Sequence, residues 1–226
     1  MNTAEHREFK DRIFEQFARI GKALSSPKRL EILDLLAQAE RTVEEIVRET
    51  AMPVASASQH LQVLKAARMV EAKREGLYVR YRLADEGVFL AWRAVRDLGE
   101  DRLAEVDQVV DIYLKDRGEM EAVDAAGLME RLADGSAVVL DVRPEEEYQA
   151  GHVPGALSVP VDSLEALQGL PKDKEVVAYC RGPYCVFSDE AVRVLSARGY
   201  RASRLTEGFP EWQAAGYPVE SETQAS

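Results

Sequence analysis

Cysteine is almost absent from this chain of 226 residues: its two thiols, Cys180 and Cys185, both lie in the stretch AYCRGPYCVFS. Two thiols are too few for a disulfide framework. With only three histidines beside them, a C-x4-C spacing also lacks the second ligand pair of a structural zinc site. No metal and no cofactor is therefore expected. Long apolar runs are missing as well. None approaches the ~18 residues that span a bilayer, and the opening MNTAEHREFK is polar from its second residue. These features predict a cytoplasmic protein with no membrane partner. The third scarcity is local. Residues 1–117 carry 20 Lys and Arg against 21 Asp and Glu, whereas residues 118–226 carry 9 against 19. The net charge of −11 thus sits almost wholly in the second half. The asymmetry predicts two domains, 1–117 and 118–226, with different partners.

In the first half, Phe9, Ile13, Phe17, Ile20 and Leu24 recur at helical spacing and predict an amphipathic helix over residues 6–24. Ser26-Pro27 reads as a cap and first turn. Thr42 followed by Glu45 three residues on reads as a capping box. Past Pro53 a further helix is predicted from about Val54 to Arg68, with Val54, Ala57, Leu61 and Leu64 on its core face. Its opposite face carries Ser56, Ser58, Gln59 and Gln62. Such a face suits a DNA major groove, because Gln pairs bidentately with adenine and Ser serves phosphate or base. His60 lies on the flank and suits partial burial better than base contact. VEAKREGLYVRYRL then alternates as a hairpin around Glu75-Gly76, exposing Lys73, Arg74 and Arg80 as candidate phosphate contacts. The bland alternative is a solvated hairpin surface.

SSPKRLEILDLL, SASQHLQVLKAARMV and REGLYVRYRL resemble the ArsR/SmtB family of winged-helix repressors over roughly residues 7–83. The resemblance implies a homodimer on double-stranded operator DNA, with the helix from Val54 in the groove. Val88, Trp92, Val95, Leu103, Val106, Val110 and Tyr113 form an apolar seam in the helical tail that calls for a dimer partner or for packing within its own subunit. The metal-sensing positions of that family are not filled: RTVEEIVRET has no Cys, and residues 85–117 have no His.

After a polar exit at Asp116-Arg117-Gly118-Glu119, strand and helix patterns alternate: AVVLDV, PEEEYQAG, a spacer helix, VVAY, a helix to Arg198, and a strand at Ser203–Leu205. Cys180 falls at the C-terminal end of a strand, before a helix, where ligands bind in open α/β sheets. Backbone N–H groups of such a loop favour a thiolate, and Arg181 adds a cation beside it. LDVRPEEEYQAGHVPGALSVP, VVAYCRG and LTEGFPEWQAAGYPV resemble a single rhodanese domain over about residues 120–219. That resemblance implies a persulfide on Cys180, with Arg181 at the catalytic loop, and makes Asp141, Arg143 and His152 mainly scaffold. Trp212 is expected to pack the closing helix. Pro183 and Cys185 stand where many sulfurtransferases carry Gly and Arg or Ser/Thr.

The expected architecture is multi-domain: an all-α and winged helix-turn-helix N-terminal domain, then an α/β rhodanese-like domain with a mainly parallel sheet. The expected function is a repressor that senses polysulfide or persulfide through Cys180, with Cys185 as resolving thiol. A sulfurtransferase with an appended winged helix, or an arsenic- or oxyanion-responsive repressor, are the alternatives.

Overall fold

The computed structural model describes residues 3–114 and 117–222. The chain divides into two compact units, Met1–Arg96 and Asp97–Ser226. The dividing point lies some twenty residues before the one read from charge and composition.

The first unit opens with α1 (Thr3–Leu24), three residues earlier than its periodicity suggested, and α2 (Pro27–Leu36). Proline at the first helical position starts α2, while the Ser26 side chain makes no capping bond. Thr42 does cap α3 (Val43–Thr50): its Oγ1 accepts from the Glu45 amide at 3.3 Å and its amide donates to Glu45 Oε2 at 2.7 Å. The next helix, α4 (Val54–Ala66), buries Ala57, Leu61 and Leu64 against Ile32, Leu33 and Ile46. Val54, assigned to the same face, is instead 56% exposed. As the first residue of α4 it lies beyond the turns that pack. The short β1 (Arg41–Thr42), β2 (Val70–Glu75) and β3 (Tyr78–Leu83) form an antiparallel sheet in the order β1-β3-β2. Glu75 pairs with Tyr78, so Gly76, at φ 62°, and Leu77 make the hairpin tip. That left-handed conformation is one glycine adopts without strain. Leu77 is 92% exposed, and the strand turns inward only at Tyr81.

Helix α5 (Glu86–Arg102) carries the dividing point, and α6 (Ala104–Tyr113) follows it. The first part of the predicted seam is satisfied at home. Val88 and Phe89 are buried, and Trp92 Nε1 donates to Asp34 Oδ1 on α2 at 3.0 Å. Leu98, Leu103 and Tyr113 remain exposed.

The second unit holds β4 (Ala122–Val123), α7 (Ala125–Ala133), β5 (Ala137–Asp141), α8 (Glu145–Ala150), β6 (Leu157–Ser158), β7 (Glu175–Tyr179), α9 (Val186–Ala197), β8 (Arg201–Leu205) and α10 (Phe209–Ala214). The predicted spacer helix is a 3-10 turn over Val161–Ala166. All five strands are parallel, in the order β4-β8-β7-β5-β6. The central β7 is buried from Val176 to Tyr179, as a strand covered on both faces must be. One core gathers Leu128, Val139, Val177, Tyr179 and Trp212; the other gathers Leu140, Val176, Ala178, Cys180 and Leu195. Of the predicted polar exit, Asp116 lies outside the described residues. Arg117 is not a surface residue: it is buried and faces Asp189 at 3.4 Å.

Candidate functional site

Two sets of residues carry the candidate chemistry, one in each unit. On α4, Gln59 and Gln62 are exposed, Ser56 and Ser58 are partly so, and His60 is half-buried. In the hairpin, the cations are partly neutralised locally. Lys73 Nζ lies 3.0 Å from Glu75 Oε1 and its hydrogen bond and charge hold the Glu75 carboxyl below its usual range. Arg80 lies 3.4 Å from Glu75 and 3.9 Å from Glu45. Arg74 donates to the Gly76 carbonyl at 3.3 Å. The amide face of α4 is thus presented, while Lys73 and Arg80 would exchange a carboxylate for a phosphate.

The cysteine loop is built between β7 and α9. Cys180 follows the last residue of β7 and is 2% exposed. Cys185 is the N-cap of α9, and its amide donates to the Gly182 carbonyl at 3.1 Å. That turn brings the two Cα atoms to 6.2 Å, and the thiols are joined as a disulfide; bridged cysteines span about 4.4–6.8 Å. Gly208 closes the loop from below. A Cβ there would stand 2.4 Å from Arg181 O, Gly182 N and Gly182 Cα, and the next amide, of Phe209, donates to Cys180 O at 3.1 Å. Only glycine lets α10 approach this closely.

Arg181 is not a bare cation beside the thiols. Its Nε donates to both carboxylate oxygens of the buried Glu147, at 2.9 and 3.1 Å, and its Nη2 lies 2.6 Å from Oε1. Beneath, Arg143 binds Asp141 through Nε at 3.0 Å and Nη2 at 2.6 Å, and donates to Gly151 O at 2.7 Å. Burial lowers the Arg143 pKa, but the Asp141 hydrogen bond and charge prevail and the net shift is upward. Tyr179 Oη donates to Asp141 at 2.5 Å and accepts from the Val153 amide at 3.1 Å; burial, then the Asp141 charge, pushes this phenol well above its ordinary value. His152 stacks on Tyr148 at 3.8 Å and bonds its carbonyl at 2.8 Å. Trp212 is fully buried, with Nε1 donating to Pro218 O at 2.7 Å. Of these groups, Glu147 holds the loop through Arg181, and Arg143 lies 4.2 Å from the centre of the Phe209 ring, whose amide bonds Cys180 O.

Sequence reasoning missed four features. Glu147 reads as one more charge in the acidic run PEEEYQAG, yet is fully buried. Asp189 on α9 is buried between Arg117 and Arg204, at 3.4 and 3.8 Å, and burial raises its pKa despite both cations. Tyr184, within the loop, donates to Glu100 Oε1 on α5 at 2.7 Å. Gly208 had a signal available, in the block LTEGFPEW, but its neighbour across the fold was not visible.

The geometry defines a class: a winged helix-turn-helix unit followed by a rhodanese-like α/β unit. Residues 26–72 match the model described as bacterial regulatory protein, arsR family, and residues 124–215 the one described as rhodanese-like domain. The HTH-type transcriptional regulator Rv0324 of Mycobacterium tuberculosis is 44% identical over 92% of this chain and 92% of its own. The chain belongs to the ArsR/SmtB-type transcriptional regulators fused to a rhodanese domain. The HTH-type transcriptional repressor SmtB of the same species is 37% identical over 40% of this chain and 68% of its own. A solution structure from Mycobacterium bovis, of a homodimeric winged helix-turn-helix domain of a possible ArsR-family regulator, is 46% identical. It covers 42% of this chain and 87% of that one, with a TM-score of 0.40.

Proposed function

We propose that this regulator is a homodimeric, operator-binding repressor that senses reactive sulfur species through the cysteine loop. The observation that carries the reading is the Cys180–Cys185 pair, 6.2 Å apart at Cα on a turn that closes on itself. In the reduced protein the Cys180 thiolate attacks the sulfane sulfur of a persulfide or polysulfide. A Cys180–sulfur bond forms and the donor leaves with the electron pair of the broken S–S bond. The Cys185 thiolate then attacks Cys180 Sγ and expels hydrosulfide, leaving the disulfide. Where Cys180 carries two added sulfurs, attack on the inner one expels hydrosulfide and leaves a trisulfide. The N-terminus of α9 favours the negative charge that both steps need.

The loop has a hydrogen-bonded neighbour on α5. Tyr184 bonds Glu100 on α5, and the earlier part of that helix buries Val88 and Phe89 in the first unit. Closing the loop shifts Tyr184, and a ligand state can bias DNA binding only through such a differential contact. The homodimer is supported by exposed apolar residues on α1, Phe9, Phe14 and Phe17, which form a stripe too large for a solvated helix face.

The test is a gel shift on the chain's own upstream DNA, with and without polysulfide, alongside intact-mass measurement. Wild type is expected to gain the internal crosslink and change its affinity. Cys180→Ser keeps basal DNA binding and loses sulfur loading. Cys185→Ser loads Cys180 but responds weakly. A normal response in Cys180→Ser overturns the reading. The rhodanese-like match also supports a sulfurtransferase reading; steady thiosulfate–cyanide turnover, indifferent to operator DNA, would favour it.

A further inference from the structure

The closed loop treats its two sulfurs unequally. Cys180 is buried among Leu140, Val176, Ala178 and Leu195, and its carbonyl is held by the Phe209 amide at 3.1 Å. Cys185, the N-cap of α9, is only half-buried, and its neighbours on either side, Tyr184 and Val186, are exposed. The disulfide thus has one sulfur in the core and one near the surface.

A signal stored as a disulfide is erased by thiol–disulfide exchange, whose rate depends on which sulfur is attacked, on access to it and on the leaving thiolate. The incoming thiolate approaches in line with the S–S bond, from the side opposite the sulfur that leaves. Here leaving group and access pull in opposite directions. Attack on Cys180 would leave the charge on Cys185, at the N-terminus of α9, which favours an anion. Attack on Cys185 leaves it on Cys180, whose apolar surroundings disfavour a thiolate. Access decides. To reach Cys180 first, a nucleophile would have to draw a buried side chain from the core and break the hydrogen bond to Phe209. That costs more than the helix terminus returns. This burial is a property of the closed loop, the form from which reduction starts.

We propose that the oxidised loop is reopened through Cys185: an external thiolate attacks Cys185 Sγ, and Cys180 is the sulfur that leaves. The proposal rests on the disulfide with which the sulfur-sensing reading ends, and adds the route back. A bond forms between the incoming sulfur and Cys185 Sγ while the Cys180–Cys185 bond breaks. Its electron pair goes to Cys180, which takes a proton as the loop opens. A second thiolate, from the same molecule if the reductant is a dithiol, attacks the incoming sulfur and expels the Cys185 thiolate. The reductant ends as a disulfide, and the loop has gained two electrons. The two cysteines divide the cycle: Cys180 meets the sulfur donor, and Cys185 meets the reductant.

The experiment uses the full-length protein, oxidised with diamide, and two thiol probes: reduced glutathione, and a thioredoxin whose resolving cysteine is replaced by serine. Early time points are quenched in acid and free thiols are capped with maleimide. Trypsin then cuts between Arg181 and Gly182, which places the two cysteines on different peptides. The mixed disulfide is expected on Cys185 over Cys180 by at least about tenfold, with the cap on Cys180; tenfold corresponds to ~1.4 kcal/mol of barrier. In denaturing urea the glutathione preference should fall towards an even split, because burial is its source. An adduct mainly on Cys180, or an even split in the folded protein, overturns the proposal. So does a full preference that survives in urea, or a failure of diamide to close the loop. An adduct on Cys185 from only one of the probes upholds the route and names the kind of reductant. Because diamide makes the disulfide, a Cys185 adduct stands even if polysulfide fails to load Cys180, a result that would sink the sensor reading alone.

Discussion

The two units handle polar residues in opposite ways. In the first, Arg41 is the one buried charged residue among those described, beside the polar Gln38, Thr42 and Thr50, and the candidate DNA residues Gln59, Gln62, Lys73 and Arg74 stand on the surface. In the second, Asp141, Arg143, Glu147 and Asp189 are all buried, and so is Cys180. A surface that meets phosphates and base edges must be presented and can exchange its partners at little cost. Cys180, the proposed acceptor, is instead walled in, packed among Leu140, Val176, Ala178 and Leu195. The difference predicts that stability and the proposed function are separable in the first unit and entangled in the second.

The largest test of that contrast is Arg143→Met. It leaves Asp141 buried without its counter-charge, which costs about 3–5 kcal/mol, and should lower the unfolding temperature of the second unit in calorimetry. The first unit's own transition should stay where it was; a parallel drop in both would break the contrast. Gly208→Ala comes next. Backbone atoms 2.4 Å from the new Cβ cannot yield as a side chain would, and overpacking of this kind costs about 1–3 kcal/mol. Sulfur loading measured by intact mass should fall, since Arg181 and Gly182 must move.

In the first unit the expected pattern is reversed. Gln59→Ala should cost ~1–3 kcal/mol at one base position and nothing elsewhere, with thermal stability within about 0.5 kcal/mol. Competition binding across operator variants checks it. Arg74→Ala should weaken binding to all sequences and lower the slope of log affinity against log salt by about 0.9. Arg80→Ala should do less, because Arg80 already lies against Glu75 and Glu45. The smallest effect is at the joint between loop and helix. Tyr184→Phe removes one exposed hydrogen bond, worth about 0.5–1.5 kcal/mol, and should shrink the polysulfide response in the gel shift without altering sulfur loading.

Local signals were the legible ones. The Thr42–Glu45 box, the Ala57-Leu61-Leu64 face and the Gly76 hairpin each depend on residues a few positions apart, and all are present. The parallel sheet was readable because continuous apolar runs such as VVAY fit only a strand covered on both faces. What sequence did not disclose were contacts closed by the fold over long separations. Arg181 looked like a free cation because Glu147 is 34 residues away. Trp92 fitted an outward seam until Asp34, 58 residues earlier, took its indole N–H. Arg117 looked like part of a solvated linker, yet its counter-charge is Asp189. A charged residue's burial depends on partners that no periodicity reveals.

The sheet of the second unit has a consequence for how the protein behaves in a crowded solution. Its three inner strands are five residues long, but the outermost, β4 and β6, have two residues each. A foreign strand seeking the open N–H and C=O groups of an edge finds room for scarcely one pair of bonds. The unit can therefore keep a hydrophobic central strand leading into Cys180 without offering a template on which other chains could stack.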